Sequence, residues 1–324
     1  MKTIPSFFFP TKIILLDDNT EFLDHLKDAF DTSTSTYKAF SKPYEAVSYI
    51  EKISDKYLDS DFWMKQDYSH LSKDTFKSWK QIYSAERFDY ISTLIVDYMM
   101  PSTNGLEICA QIKNPHIQKI MLTGEVDESI TAKAFGEGLI DGFIRKDEVN
   151  IFEKLETLIY KRQQEFFISL TNAIPEYIKE SSCEKVLQEK EFITIFENIL
   201  KNFNIIEYYI IDSNNFILLD EKGNISALFV FNQEELLKKP FMGAKDYFIN
   251  GLDLSFPATS IDHPLYEEKD KQVGTIKFQE KESHHVFPVY TIPSCQGYVW
   301  SYIPKLLSNR KLETFQAYKK VLNA

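Results

Sequence analysis

Five side chains suited to metal or phosphoryl chemistry stand at the ends of short apolar runs. Leu94-Ile95-Val96 ends at Asp97, Ile13-Ile14-Leu15-Leu16 at Asp17 and Asp18, and Ile120-Met121-Leu122 at Thr123. A fourth run, residues 140–146, ends at Lys146. Such continuous runs read as strands covered on both faces. Open α/β sheets gather their chemistry at the carboxyl ends of such strands. Three carboxylates, a hydroxyl and a lysine would therefore meet at one end of one sheet. Clustered carboxylates repel one another unless a cation intervenes, and hard oxygen ligands suit Mg²⁺. A metal-neutralised aspartate is a competent nucleophile toward a phosphoryl group, whose oxygens the hydroxyl and the lysine can hold. Alone, Asp97 could equally be a helix cap.

These motifs, in this order, resemble the receiver domain of bacterial two-component response regulators over about residues 10–160. The resemblance implies a doubly wound α/β fold with a five-stranded parallel sheet, flavodoxin-like, of order 2-1-3-4-5. It implies Asp97 as phosphoacceptor, Asp18 as the main Mg²⁺-ligating acid assisted by Asp17, and the backbone carbonyl of Met99 completing the metal shell. Thr123 and Lys146 match the switch hydroxyl and the phosphoryl-pairing lysine, and Phe143 the aromatic that changes rotamer between states. The phosphoryl donor would be a histidine kinase or phosphotransfer protein. The only enzyme-like activity would be self-phosphorylation and autodephosphorylation. Met99 and Glu125 stand where the family tunes water access, and an apolar Met99 is expected to slow hydrolysis. Asp147 departs from the pattern, because the family usually has proline there. It leaves the loop geometry open and adds a negative charge beside Lys146.

The chain has 324 residues, enough for two domains with separate cores. Its net charge of −11 disfavours generic nucleic-acid binding. Cys109, Cys183 and Cys295 have no metal spacing, and so sparse and odd a count fits a reducing compartment. No apolar run has the length of a membrane span, and Phe7-Phe8-Phe9, bracketed by Pro5 and Pro10, is too short for a signal peptide. The expectation is a cytoplasmic protein whose N-terminal phenylalanines pack on the domain.

The elements needed to position the five side chains follow in order. Residues 20–30 carry Phe22, Leu23, Leu26 and Phe30 at helical spacing, 36–40 form a strand, and a helix opens at Pro43. Residues 54–88 then form an insert rich in Trp63, Trp79 and other aromatics and free of Gly and Pro, which is not linker composition. It reads as one or two amphipathic helices, for instance 73–85, serving as a local embellishment or as a partner-docking surface. His70 lies there without the acid and glycine boxes of a histidine kinase. Beyond a receiver domain at 10–162, apolar helical patterns run through 163–204 as a helical connector. Its apolar faces need cover from the next domain or from a second copy, which leaves a homodimer open.

Residues 205–303 change to strands joined by turns at 213–215 and 221–224, then helices at 233–238 and about 242–249, then strands. That order gives an α+β output domain with one antiparallel sheet, loosely similar to a PAS-type domain. Eight Lys/Arg against fourteen Asp/Glu make it a poor partner for DNA. Asp262-His263 and His284-His285 have no metal-site spacing. Residues 304–324 read as a basic C-terminal helix, either solvated or contacting an anionic partner. The sequence therefore reads as a phosphorylated response regulator with a non-DNA-binding output domain working through protein or small-ligand contacts. The alternatives are a scaffold with a silent receiver, or a transcription regulator with an atypical output domain.

Overall fold

The computed structural model describes residues 4–58, 82–124, 128–172, 183–210, 215–232, 242–243, 254–255, 272–280, 283–308 and 311–322. The chain forms two compact units, one from Phe9–Asp67 and Glu86–Ile174, the other from Met1–Phe8, Tyr68–Ala85 and Pro175–Ala324. It opens with β1 (Phe7–Phe8), which belongs to the second unit, and then enters the first.

The first unit alternates strand and helix: β2 (Thr11–Leu16), α1 (Thr20–Ala29), β3 (Ser35–Phe40), α2 (Pro43–Leu58), and then β4 (Ile91–Asp97) after a 3₁₀ turn at Ala85–Asp89. A two-strand hairpin of β5 (Met99–Met100) and β6 (Thr103–Asn104) leads to α3 (Gly105–Gln111). Then come β7 (Gln118–Thr123), α4 (Glu128–Gly136), β8 (Gly142–Arg145) and α5 (Ile151–Asn172). The five longer strands are all parallel in the order β3-β2-β4-β7-β8. This is the doubly wound order expected from the sequence.

Alternation along the strands divides the core. Ile13, Leu15, Ile95, Ile120 and Ile144 pack against α1 and α5, while Ile14, Leu16, Leu94, Val96 and Met121 pack against α2, α3 and α4. Each such side chain contributes about 1.5–3 kcal/mol over remaining exposed. At the amino ends of the strands lies a buried polar set. Gln163 of α5 donates through Nε2 to Thr11 Oγ1 at 2.9 Å, Ser35 Oγ at 3.0 Å and the Thr34 carbonyl at 3.3 Å.

In the second unit, α6 (Cys183–Gln188) and α7 (Lys190–Asn202) precede a meander of β9 (Ile205–Ile210), β10 (Phe216–Asp220) and β11 (Ile225–Asn232). The short strands β12 (Met242–Gly243) and β13 (Leu254–Ser255) come next. They are followed by β14 (Gln272–Glu280), β15 (Ser283–Thr291), β16 (Tyr298–Ser308) and α8 (Phe315–Leu322). The sheet runs β1-β9-β10-β11-β16-β15-β14-β12, antiparallel throughout except for the β12–β14 pair, with β13 paired to β16. One face is covered by α7, whose Phe196 ring lies 4.9 Å from Tyr208 and 5.0 Å from Phe216. The β10–β11 turn is held by Asp220, whose Oδ1 accepts from the N–H groups of Lys222 and Asn224, and Gly223 takes φ +80°.

Several expectations change. Phe7 and Phe8 pair with Tyr209 and Tyr208 as an edge strand of this second sheet, while Phe9 enters the core of the first unit against Tyr90 and Phe167. The three phenylalanines therefore serve two cores. Residues 304–308 do not begin a helix, because β16 runs through them past a bulge at which Lys305 adopts φ +58°. Only Phe315–Leu322 is helical. Met242–Gly243 is strand where a helix was expected. The remainder of that helix, the 233–238 helix, most of the insert with Trp63, His70 and Trp79, and Glu125 lie outside the described residues. So do Asp262-His263 and the side chains of His284 and His285.

Candidate metal and phosphoacceptor site

Register alone brings the acids together. Leu16 of β2 stands opposite Val96 of β4, so Asp17 follows beside Asp97. On the other flank Asp97 faces Leu122, and Thr123 faces Arg145, the residue before Lys146. One carboxylate oxygen each of Asp17, Asp18 and Asp97 lies within 4.8 Å of the others. Asp17 and Asp97 are buried and Asp18 is exposed. Lys146 reaches into the group, with Nζ 2.6 Å from Asp17 Oδ2 and 3.1 Å from Asp97 Oδ1, and passes 4.8 Å from the Phe22 ring centre.

The electrostatics follow from burial and like charge. Burial first, then the charge of Asp17, holds the Asp97 carboxyl above the ordinary aspartate range, against the pull of Lys146. Burial works to lower the Lys146 pKa, but its close ionic contact with Asp17 and the charges of Asp17 and Asp97 outweigh that and raise it.

Loop chemistry fixes the acids. Asn19 caps α1, its side chain accepting from the Phe22 N–H at 3.0 Å, and its own N–H donates to Asp17 Oδ1 at 2.9 Å. After β4, the Tyr98 N–H donates to the Leu122 carbonyl at 3.3 Å, and the β5–β6 hairpin turns at Pro101. Asn104 then caps α3 by accepting from the Glu107 N–H at 3.0 Å while Glu107 Oε1 takes its Nδ2 hydrogen at 2.9 Å. Gly105 N–H donates to the Tyr98 carbonyl at 2.9 Å. A cleft of about 500 Å³ opens beside Asp18, lined by Lys42, Tyr44, Met100, Pro101 and Ile108.

The sequence-predicted residues thus fall as follows. Asp17, Asp18, Asp97 and Lys146 converge. Thr123 closes β7 at the same level of the sheet, its side chain lying outside what is described. Met99 lies in β5 with its side chain 63% exposed, and Phe143 lies in β8, 48% exposed. The charge that Asp147 adds beside Lys146 is paired with Arg145, whose Nε and Nη2 donate to it at 2.9 and 2.6 Å. Cys109 is core, and burial pushes its thiol up to about 12. Asn19 and Gly105 were not singled out. The run Asp17-Asp18-Asn19-Thr20 carried the signal for the first, and a glycine opening a helix just after Asp97 the signal for the second.

The residues present fit a hard divalent cation. Three oxygen donors converge, and buried Asp17 Oδ2 meets Lys146 as an ionic contact but has no aligned hydrogen-bond partner among the described residues.

A doubly wound sheet carrying this acid–lysine cluster defines a receiver-type domain. Residues 60–156 match the family model of the response regulator receiver domain, and the chain carries such a domain. The match does not extend into the second sheet. The structure is similar to that of the Legionella pneumophila response regulator LqsR, with 25% identity, TM-score 0.69, and 100% of this chain and 98% of that one covered. It is also similar to a CheY-like receiver domain protein from Methanospirillum hungatei, with 18% identity, TM-score 0.34, and 48% of this chain and 96% of that one covered. No curated protein sequence matches the chain. Among the described residues no helix is long and apolar enough to cross a membrane.

Proposed function

We propose that the protein is a response regulator switched by Mg²⁺-dependent phosphorylation of Asp97. The observation that carries this reading is the convergence of Asp17, Asp18 and Asp97 with Lys146 spanning two of them. Asp17, Asp18 and Asp97 would hold Mg²⁺, which supplies charge neutralisation when bound. An Asp97 oxygen attacks phosphorus, and the bond from phosphorus to the donor's leaving atom breaks. Lys146 balances the charge on the new phosphoryl oxygens, and Thr123 accompanies it at the same level of the sheet. Burial of Asp97 limits competing water.

The donor is a histidine kinase or phosphotransfer protein, and the only chemistry performed is self-phosphorylation and slow autodephosphorylation. The likeness to LqsR, a response regulator, spans both units and supports a signalling role for the whole chain. The second unit works as the output domain through protein or small-ligand contacts, its acidic balance opposing a DNA backbone.

The test gives the full chain phosphoramidate with Mg²⁺ and follows intact mass. Wild type gains one phosphoryl group and Asp97→Asn gains none. Equal gain by both proteins, or no gain by wild type, would sink the reading.

A further inference from the structure

We infer that the ion pair between Arg145 and Asp147 positions Lys146 by pinning the backbone on either side of it. This rests on the phosphoacceptor reading above. Arg145 is the last residue of β8, and the Gly142–Arg145 strand alternates inward and outward. Lys146 follows and sends its ammonium inward to Asp17 and Asp97. Its two neighbours are exposed and joined to each other across it, by two near-parallel bonds from Nε and Nη2 of Arg145 to the two Asp147 oxygens. A planar guanidinium against a carboxylate in this arrangement fixes orientation as well as distance.

A second clamp closes the same loop. The Glu148 N–H donates to the Arg145 carbonyl at 3.2 Å, and the Arg145 N–H donates to Glu148 Oε1 at 3.4 Å. Glu148 Oε2 accepts from Lys154 Nζ, on α5, at 2.6 Å. Residues 145, 147 and 148 are therefore tied to one another and to the next helix. A lysine stem is flexible and loses rotamer freedom when its head is held, so it meets two carboxylates well only if its Cα is placed. A proline at 147 would restrain φ there. This chain has Asp147, and the ion-pair fork supplies the restraint.

The experiment uses the full chain as wild type, Arg145→Ala, Asp147→Ala and the exchanged double variant Arg145→Asp/Asp147→Arg. Phosphoramidate with Mg²⁺ probes phosphoryl uptake. Acetic anhydride probes the reactivity of the Lys146 amine by peptide mass mapping, without metal or donor.

Each single alanine variant is expected to slow uptake about two- to five-fold, the scale of a well-formed surface pair. Each also acetylates faster at Lys146, with unchanged thermal midpoint, and the exchanged variant returns both readouts toward wild type. Adding 0.5 M NaCl to wild type moves both in the direction of the alanine variants, because the pair is exposed and screened. Unchanged Lys146 acetylation in the alanine variants, or no recovery in the exchanged one, overturns the inference. If wild type takes up no phosphoryl group, the function reading fails while the acetylation pattern still decides the positioning role.

Discussion

Gly105 and Asp97 touch through the backbone: a Cβ built at Gly105 overlaps the carbonyl oxygen of Asp97 and lies 3.0 Å from Met121 Sδ. The start of α3 is thus seated directly on the phosphoacceptor candidate's own peptide group. The thioether could shift, but the carbonyl is held in a central strand and cannot. Gly105→Ala is therefore expected to lower stability by about 1–3 kcal/mol through overpacking. It should also impair phosphoryl uptake beyond what that loss explains. Urea unfolding and uptake measured at a temperature where the variant is fully folded would check both.

Asp97→Asn is expected to stabilise the protein at neutral pH. The folded-state pKa of Asp97 is raised, so the native state holds its proton more tightly than the unfolded chain. The stability this gives is present below the ordinary aspartate pKa and is lost as pH rises through the folded value. The neutral amide escapes that loss. The thermal midpoint of the variant should match wild type near pH 3 and exceed it by pH 7. A gap of the opposite sign at pH 7 would show that Lys146 overcompensates the burial.

What the sequence made legible was local. Each strand ending in an acid, Thr123 or Lys146 is a short apolar run, and one register of parallel pairing suffices to bring those ends to one level. The turn at Gly223, the helix opening at Pro43 and the burial of Cys109 were equally local. What escaped needed distant partners. Nothing in Phe7-Phe8 specifies Tyr208 and Tyr209, roughly two hundred residues away, as the strand it pairs with. The continuation of β16 through Pro304 and Lys305 depends on Ile225 accepting Leu306 across a bulge. Asp147 is the exception, since its partner Arg145 lies only two residues away and what the sequence hides there is side-chain direction.

Gln163 is expected to behave as a structural hub of the first unit. It is buried, and its amide serves Thr11, Ser35 and the Thr34 carbonyl, joining α5 to β2 and to the entry of β3. Gln163→Leu keeps the volume and removes that donor, leaving Thr11 Oγ1 with Ser92 and the Thr34 carbonyl with the Thr11 N–H. The expected cost is about 1–3 kcal/mol, from the lost bonds. Denaturant unfolding measures it, and a change under 1 kcal/mol would mean water replaces the amide.

Lys146→Ala tests the site as a charge system without any phosphodonor. Removing the ammonium leaves Asp17 and Asp97 buried side by side with no counter-charge, which should cost about 2 kcal/mol at neutral pH. The cost should fade as pH falls through the carboxylate range, since protonation removes the repulsion. On the proposed reading Mg²⁺ would bind the folded cluster and not the unfolded chain, so it should raise the thermal midpoint by mass action. The raise should be larger in Lys146→Ala than in wild type, because the cation no longer competes with an ammonium already 2.6 Å from Asp17. Asp18→Asn in the same background should shrink it, as one of three oxygen donors is lost. Differential scanning fluorimetry at graded Mg²⁺ reads all three proteins. Equal Mg²⁺ responses in wild type and Lys146→Ala would show that lysine and metal do not share the carboxylates.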